Sequence, residues 1–131
     1  MRRIFTLEQA TGLLPWVEER LRNLDPIRDA LDEIKARFST LSQESRGNGN
    51  VSIGAEVLQV QKELEEATSK FTEVIEEINQ KGIVVRDARA GLIDFLALCD
   101  QEEMFMCWLR GEESIRYWHG TNEGYSSRKP L

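Results

Sequence analysis

Two long stretches of the chain repeat apolar residues at every third or fourth position, which is the spacing of one face of an α-helix. In the first stretch, which runs to about Ser45, these residues are Leu14, Val17, Leu21, Leu24, Ile27, Leu31, Ile34, Phe38 and Leu41. In the second stretch they are Val57, Val60, Leu64, Ala67, Phe71, Val74 and Ile78. Because this spacing also forms the seam of a coiled coil, we predict two helices that pack along their apolar faces.

The predicted helical region has start and stop signals. Thr6 and Gln9 are spaced as a capping box, which begins a helix, and Gly82 stands where a helix commonly ends. Between the two repeats, the segment near residues 43–53 is rich in glycine and asparagine and predicts a loop. Two helices joined by one short loop predict an antiparallel hairpin over residues 6–81.

Two prolines lie at the start of and inside the first repeat. Pro15 ends a first helical turn, kinks the helix or opens the next helix. Pro26 lies where the repeat takes an extra step of three residues, between Leu24 and Ile27. We expect a kink at Pro26, with a full break as the alternative.

The pattern changes over residues 82–131. Short β-branched or aromatic runs (IVVRD, GLIDFLALC, MFMCWLR and SIRYWH) are separated by short polar segments. This predicts an antiparallel meander of three or four strands, followed by a C-terminal tail that is docked on the fold. A helical hairpin followed by such a sheet is an α+β fold, and the length of the chain favours a single domain.

The third predicted strand is apolar on both faces. By strand alternation, one face carries Met104, Met106 and Trp108, and the other carries Phe105, Cys107 and Leu109. An antiparallel sheet that is covered on one side alternates apolar with polar residues, so a second cover is needed here. The tail or a second copy of the chain could supply it, and we therefore expect a homodimer.

Composition narrows the partners and the location. The net charge is −6 and the pI is about 4.9, whereas nucleic acids and anionic membranes are bound by clustered Lys and Arg. We expect neither partner.

The N-terminus lacks an apolar signal segment, and no apolar run approaches the ~20 residues that span a bilayer. Cys99 and Cys107, without C-x-x-C spacing, are interpreted as reduced, buried thiols of a cytoplasmic protein.

Four polar residues of the second half are candidates for a site. His119 is the only histidine, and it is interpreted either as a structural residue at a strand end or as a metal ligand or catalytic group. Asp94 interrupts an apolar strand, and Arg128 of the tail is the partner expected to pair with it. Together with Glu112, which follows Gly111 in a turn, these side chains either pin the tail or converge on a polar pocket.

Aromatic and sulfur side chains extend this hypothesis. Trp118 and Tyr125 would form walls of the pocket. One register places Trp108 opposite Ile115 and Phe105 opposite Trp118. Zinc bound by Cys99, Cys107, His119 and a carboxylate is a further alternative, although its spacings match no zinc motif. We expect no cofactor and no metal, and His119 is the ligand if there is one.

Several segments resemble a known family. They are Phe5 to Pro15, Lys81 to Asp87, Gly91 to Phe95 and, most specifically, Met106 to Leu131. The last segment carries Cys107, Trp108, Gly111, Glu112, Trp118, His119, Gly124, Tyr125 and Arg128. In these residues the chain is similar to the bacterial and plastid proteins grouped as domain of unknown function 2203. It departs from their pattern at Leu96, where they have proline, and at Ser127, where glycine is common. The resemblance implies the fold and a cytoplasmic location, and it implies no activity.

Two functions remain open at this point. The chain has no G-x-S-x-G, P-loop or G-x-G-x-x-G motif, so we expect a homodimeric interaction or scaffold protein without enzymatic activity. The alternative is a small-ligand or metal-binding protein, and in that case a candidate enzyme, with a polar site on the C-terminal sheet and tail.

Overall fold

The structure, a computed structural model, describes residues 3–48 and 51–131, and it describes the side chains of residues 3–44 and 54–131. The elements are α1 (Leu7–Asn48), α2 (Val51–Gln80), β1 (Val84–Asp87), β2 (Leu92–Cys99), β3 (Glu102–Leu109), β4 (Tyr117–Gly120), a 3₁₀ turn (Tyr125–Ser127) and β5 (Lys129–Pro130). The predicted α+β fold with a docked tail is confirmed. The sheet has five strands instead of three or four, because the tail itself supplies β5.

The predicted capping box starts α1. The backbone N–H of Gln9 donates to Thr6 Oγ1 over 3.1 Å, and the N–H of Thr6 donates to Gln9 Oε1 over 3.0 Å. These reciprocal bonds satisfy two donors that the first helical turn leaves free. Pro15 lies in the interior of α1, so it neither ends nor opens a helix. Because α1 also continues through Pro26, the alternative of a full break there is wrong.

The predicted loop near residues 43–53 is largely helical. The backbone of α1 continues to Asn48 and α2 begins at Val51, while residues 49–50 lie outside the described part of the chain. Glutamine, glutamate and arginine are good helix formers, and they follow the last apolar repeat at Gln43, Glu44 and Arg46. Their propensity extends the helix beyond the point where the apolar pattern stops.

The chain divides into two compact units. The first combines the residues up to Arg22 with Val74–Leu131, and the second is the helical segment Asn23–Glu73. In the first unit an ion pair of 3.2 Å joins Arg20 to Glu77, and in the second an ion pair of 3.2 Å joins Arg37 to Glu63. Higher numbers on α1 therefore meet lower numbers on α2, as an antiparallel pair requires. Among the described residues, no helix is long and apolar enough to cross a membrane.

The five strands form an antiparallel meander in sequence order. Asp100 and Gln101 alone join β2 to β3, with φ of 51° and 68°. Two positive φ values in a two-residue hairpin define a type I′ turn, whose twist matches that of the strands it joins. This turn fixes the register of the hairpin and places Asp94 directly opposite Cys107.

Both faces of the sheet are buried at its centre. On one face, Phe95 packs edge-on against Phe5, with ring centroids 5.3 Å apart. We call the opposite face the polar face; its central side chains are Asp94, Leu96, Phe105, Cys107, Tyr117 and His119. The guanidinium of Arg128, from the tail, lies 4.2 Å from the Tyr117 ring on that face. The tail thus covers part of the polar face, and no second copy is needed to bury its centre.

Two details of the predicted sheet are wrong. Phe105 pairs with His119 and Met106 with Trp118, so the predicted β3–β4 register is shifted by one residue. The connection extends to Arg116, because β4 begins only at Tyr117. Shifting a register by one residue exchanges the faces of a strand. The predicted burial of Cys99 is also wrong, since this thiol is exposed at the end of β2.

Candidate functional site

A buried carboxylate is at the centre of the polar face. Asp94, in the middle of β2, is 0% exposed. Its Oδ2 accepts a hydrogen bond of 2.8 Å from Arg86 Nε and lies 2.9 Å from His119 Nε2. Arg86 lies on β1, between Val85 and Asp87, where the pairing of β1 with β2 shifts register. Its guanidinium lies 4.8 Å from the centre of the Phe105 ring. A buried charge is tolerated when it is paired in this way.

The hydrogen bonds of His119 define its protonation. Nδ1 lies 2.9 Å from the carbonyl oxygen of Gly120, which can only accept a hydrogen bond. Nε2 faces Asp94 Oδ2, which already accepts from Arg86. Each ring nitrogen therefore needs a proton of its own, and in the metal-free protein we assign His119 as an imidazolium. If Nε2 loses its proton, two lone pairs face each other over 2.9 Å unless another cation replaces the proton.

Cys107 joins this pair from the neighbouring strand. It is fully buried, and burial, followed by the negative charge of Asp94, raises the pKa of its thiol from 9.0 to about 12. A nucleophilic cysteine needs the opposite shift, because the thiolate is the reactive form. His119 has no hydrogen bond to the sulfur, since its two ring nitrogens face Gly120 and Asp94. The arrangement therefore does not support cysteine-based nucleophilic catalysis.

A second ion pair lies beside this cluster. Arg128 Nη2 donates to both carboxylate oxygens of Glu112, over 2.7 and 2.8 Å, and its distance to the carbonyl oxygen of Cys107 is 3.4 Å. Glu112 Oε1 also accepts the backbone N–H of Leu109, and the Glu112 carbonyl accepts the Trp108 indole N–H over 3.0 Å. Glu112 therefore ties the β3–β4 connection to the tail.

Two tyrosines surround Arg128. Its guanidinium lies 4.2 Å from the Tyr117 ring and 4.8 Å from the Tyr125 ring. Burial is the largest single influence on the pKa of Arg128 and lowers it, but the hydrogen bond and charge of Glu112, the charge of Cys107 and a hydrogen bond with Tyr125 together outweigh burial, and the net shift is upward. Arg128 is thus a charged anchor for the tail.

The structure brings five of the six predicted site residues to the polar face. Asp94 contacts His119, Glu112 contacts Arg128, and Tyr125 stacks on Arg128. The predicted pair of Asp94 with Arg128 does not form, because Arg86 occupies the carboxylate of Asp94. Trp118 is not part of the group: it alternates with His119 on β4, and its ring packs under Lys129 on the opposite face.

Sequence reasoning missed Arg86, and it named Cys107 only in the zinc alternative with Cys99 and His119, without placing it beside Asp94. The position of Cys107 could have been predicted from the polar residues Asp100 and Gln101. If these two residues form a two-residue hairpin turn, Asp94 and Cys107 become direct partners on neighbouring strands. The only signal for Arg86 was a cation that ends an apolar strand. Its approach to Asp94 depends on the irregular pairing of β1, which sequence patterns do not reveal.

Comparison with known proteins places the chain in a family. A family model described as "Uncharacterized conserved protein (DUF2203)" matches residues 3–131, which is essentially the whole chain. The chain belongs to the DUF2203 family. This confirms the resemblance found in the sequence. No curated protein and no solved structure matches the chain.

In this DUF2203 chain, three side chains of the polar face can ligate a metal ion together. Asp94, Cys107 and His119 each offer one ligand atom, and these atoms all lie within 4.8 Å of one another. All three side chains are buried. By geometry, Asp94 Oδ1 is buried and accepts no hydrogen bond in the described part of the chain, and the Cys107 thiol is the neighbour whose interaction with this carboxylate, after burial, raises its own pKa. The cluster thus combines three metal-ligand types with one carboxylate oxygen that has no partner.

Proposed function

We propose that this protein binds a divalent transition-metal ion through Asp94, Cys107 and His119. The observation that carries the proposal is the unpartnered, buried oxygen Asp94 Oδ1 beside a thiol and an imidazole. A buried carboxylate oxygen without a hydrogen bond is costly, and a bound cation removes that cost. Sulfur, imidazole and carboxylate together are ligands of Zn²⁺ and of its close relatives.

The second hydrogen bond of His119 supports this. Histidines that bind a metal through one nitrogen usually donate the other N–H to a carbonyl or a carboxylate. His119 Nδ1 already lies 2.9 Å from the Gly120 carbonyl, so Nε2 is the free ligand atom when its proton is displaced. Asp94 can act in the same way: Oδ1 would bind the metal, while Oδ2 keeps the hydrogen bond from Arg86.

The distances need only a small adjustment. Bonds of about 2.0 Å to nitrogen or oxygen and 2.3 Å to sulfur place tetrahedral ligand atoms roughly 3.3–3.6 Å apart. The three ligand atoms lie within 4.8 Å of one another, so contraction by at most about 1.5 Å completes the arrangement. Three protein ligands leave a fourth position for water or for another small molecule, as in zinc sites that are not purely structural.

Charge balance also allows a dication here. Without a metal, Arg86, Arg128 and imidazolium His119 carry three positive charges against the two negative charges of Asp94 and Glu112. Binding of Zn²⁺ releases one proton from the imidazole and one from the thiol, so four positive charges then face three negative ones. The net charge of the region is unchanged. The nearby arginines therefore do not exclude the metal by repulsion alone.

Metal titration tests the proposal, with the second cysteine as a matched control. Cys107→Ser removes the sulfur ligand, while Cys99→Ser changes the exposed cysteine outside the cluster. We expect chelator-treated wild type and Cys99→Ser to bind one Zn²⁺ per chain with similar affinity. We expect Cys107→Ser to bind at least about 100-fold more weakly, because a ligand is lost. Calorimetry with a competing chelator gives the affinity, and elemental analysis gives the stoichiometry.

A second readout keeps the test decisive if Cys107→Ser does not fold. Co²⁺ added to wild type should produce a sulfur-to-cobalt absorption band in the near ultraviolet, because a thiolate ligand is present. Zn²⁺ should also raise the melting temperature of wild type and of Cys99→Ser, since it binds only the folded chain. Absence of the band at saturating Co²⁺, or equal Zn²⁺ affinity of the two serine variants, would overturn the proposal.

A further inference from the structure

A groove runs between α1 and α2 within the second unit, and its floor is apolar. Two cavities of about 510 and 310 Å³ follow one another along it. The floor residues are Ile27, Ile34, Leu41, Val60 and Ala67. All of these except Val60 remain half-exposed, although they occupy seam positions of the helical repeat. Two helices alone thus leave one side of their shared seam open to solvent.

We propose that this helical groove binds the groove of a second copy of the chain, in an antiparallel arrangement that makes a four-helix assembly. Stacking two helical hairpins face to face is a common way to bury such a seam. In the antiparallel arrangement, each end of one groove contacts the opposite end of the other groove. The distribution of charge along the groove favours this direction.

The charges of the groove differ from one end to the other. Glu44 and Glu56 line one end, the ion pair of Arg37 with Glu63 lies in the middle, and Glu66 and Lys70, whose charges cancel, line the other end. Glu56 and Lys70 each stand seven residues from Glu63 on α2. A two-fold axis at the level of Glu63 therefore places Lys70 of each copy beside Glu56 of the other.

The parallel alternative is disfavoured by the same charges. Aligning the grooves in the same direction brings Glu44 and Glu56 of both copies together, so four carboxylates share one end. Like charges that are held together across an interface are strongly unfavourable. The antiparallel arrangement separates these acids into two pairs, and each pair meets the Glu66 and Lys70 end of the other copy, which has no net charge and supplies a lysine.

The size of the surface sets the expected strength. From Ile27 to Glu44 the groove covers 18 residues of α1, or about 25 Å at a rise of 1.5 Å per residue. Two helices side by side are roughly 20 Å wide. The pair of surfaces then buries about 1,000 Å² in total, which is at the small end for a specific interface. We expect a dimer that dissociates on dilution.

Charge reversal distinguishes this dimer from any other. Glu56→Lys places two lysines against each other at both ends of the assembly, and Lys70→Glu does the same with two glutamates. Each single variant should weaken dimerisation by at least about 10-fold at low salt. The double variant Glu56→Lys/Lys70→Glu should restore it, because the pairs form again with their signs exchanged. Within one copy the two residues lie about 21 Å apart, so a contact inside the chain cannot produce this rescue.

A third reversal controls for net charge. Glu65 is exposed, and at about 100° per residue it lies on the opposite side of α2 from Glu63. Glu65→Lys should leave the dimer constant unchanged, although it alters the net charge as much as Glu56→Lys does. Sedimentation equilibrium of the full chain over a range of concentrations measures all four variants.

Three results would overturn the inference. The first is a wild-type chain that remains monomeric at several hundred micromolar, which would leave the groove to a different occupant. The second is a dimer whose dissociation constant is unchanged by Glu56→Lys and by Lys70→Glu, which would place the contact on another surface. The third is a double variant as weak as the single ones, which would reject the antiparallel pairing.

Discussion

His119 lies 2.9 Å from Asp94, side chain to side chain, although 25 positions separate the two residues along the chain. The carboxylate oxygen that faces the imidazole also accepts the hydrogen bond of Arg86. One buried oxygen thus holds two cationic groups, which come from β1 and β4 on the two sides of β2 and β3. The Asp94 side chain therefore links three strands, β1, β2 and β4, across the intervening β3.

Removing the charge of Asp94 should destabilise the fold strongly. Asp94→Asn keeps the shape of the side chain but leaves Arg86 and the imidazolium of His119 without an anion. Breaking one partner of a buried ion pair typically costs about 3–5 kcal/mol. We expect a loss of this size in the free energy of unfolding, measured by urea denaturation of the metal-free protein.

The matched control for this substitution is an exposed acid. Glu76→Gln removes a carboxylate of α2 that is exposed, and it should change stability by less than about 0.5 kcal/mol. Nitrogen chemical shifts of His119 in the wild type should report two protonated ring nitrogens. A loss below about 1 kcal/mol in Asp94→Asn, or a neutral ring in the metal-free wild type, would contradict the assigned network.

The two cysteines should react at very different rates. Cys99 is exposed and Cys107 is fully buried, with its pKa raised to about 12. A thiol reagent should therefore label one cysteine per native chain and two per unfolded chain, because only the thiolate reacts. Mass spectrometry of the labelled peptides identifies the site. Rapid native labelling at Cys107 would show that the polar face opens more readily than the structure indicates.

Cys107 should also make stability depend on pH in the alkaline range. Its pKa is raised in the folded state from 9.0 to about 12, so the stabilisation is fully present below pH 9 and is lost as the pH approaches 12. Between these values we expect metal-free wild type to lose about 1.4 kcal/mol more per pH unit than metal-free Cys107→Ala. The tyrosines and lysines are the same in both proteins, so their contributions to the pH dependence cancel when the two stability curves are subtracted. Parallel curves would contradict the buried, protonated thiol.

The tail should loosen when its guanidinium is replaced. Arg128→Lys keeps the charge but cannot span both oxygens of Glu112 and the Cys107 carbonyl. We expect a loss of about 1–3 kcal/mol and faster proteolytic cleavage near Tyr125. Lys129→Ala, in which a half-exposed cation beside Arg128 is removed, is the control and should have a smaller effect on both. Equal cleavage rates would show that Arg128 is not the anchor.

The elements of the fold could be predicted because each depends on local spacing. The step of three and four residues defines both helices, and Thr6 with Gln9 marks the start of α1. The helix ends near residues 43–53 could not be predicted in the same way, because good helix formers there continue a helix without any apolar pattern. Strand β5 was hidden, since a two-residue strand that contains Pro130 has no periodicity of its own.

The residues that form the site could be predicted better than the contacts between them. Asp94 was found because it interrupts an apolar strand, and His119 because it is the only histidine and lies at a strand end. Glu112 was found beside a turn glycine, and Arg128 as a cation of the tail. Which of them meet depends on register, and an error of one residue in β4 changes every partner. The wrong pairing of Asp94 with Arg128 has the same origin, because the approach of Arg86 depends on a pairing irregularity and not on sequence spacing.

The turn that fixes this register contains a residue that is poorly suited to it. Gln101 has φ of 68°, a left-handed conformation that costs a side-chain-bearing residue about 1–2 kcal/mol. Gln101→Gly removes this strain and loses part of the gain to the greater freedom of glycine in the unfolded chain. We expect a net stabilisation of about 0.5–1 kcal/mol, measured as a higher urea midpoint with an unchanged slope.

The opposite substitution at another left-handed position provides the comparison. Gly91 has φ of 76°, and a Cβ added there would lie 2.6 Å from Cβ of Arg110. Gly91→Ala should therefore destabilise the protein by more than the 1–2 kcal/mol of backbone strain alone, since the neighbouring chain must also shift. If Gln101→Gly is neutral or destabilising while Gly91→Ala behaves as expected, the two-residue turn at Asp100–Gln101 is wrong. The register that places Asp94 opposite Cys107 would then lose its structural basis.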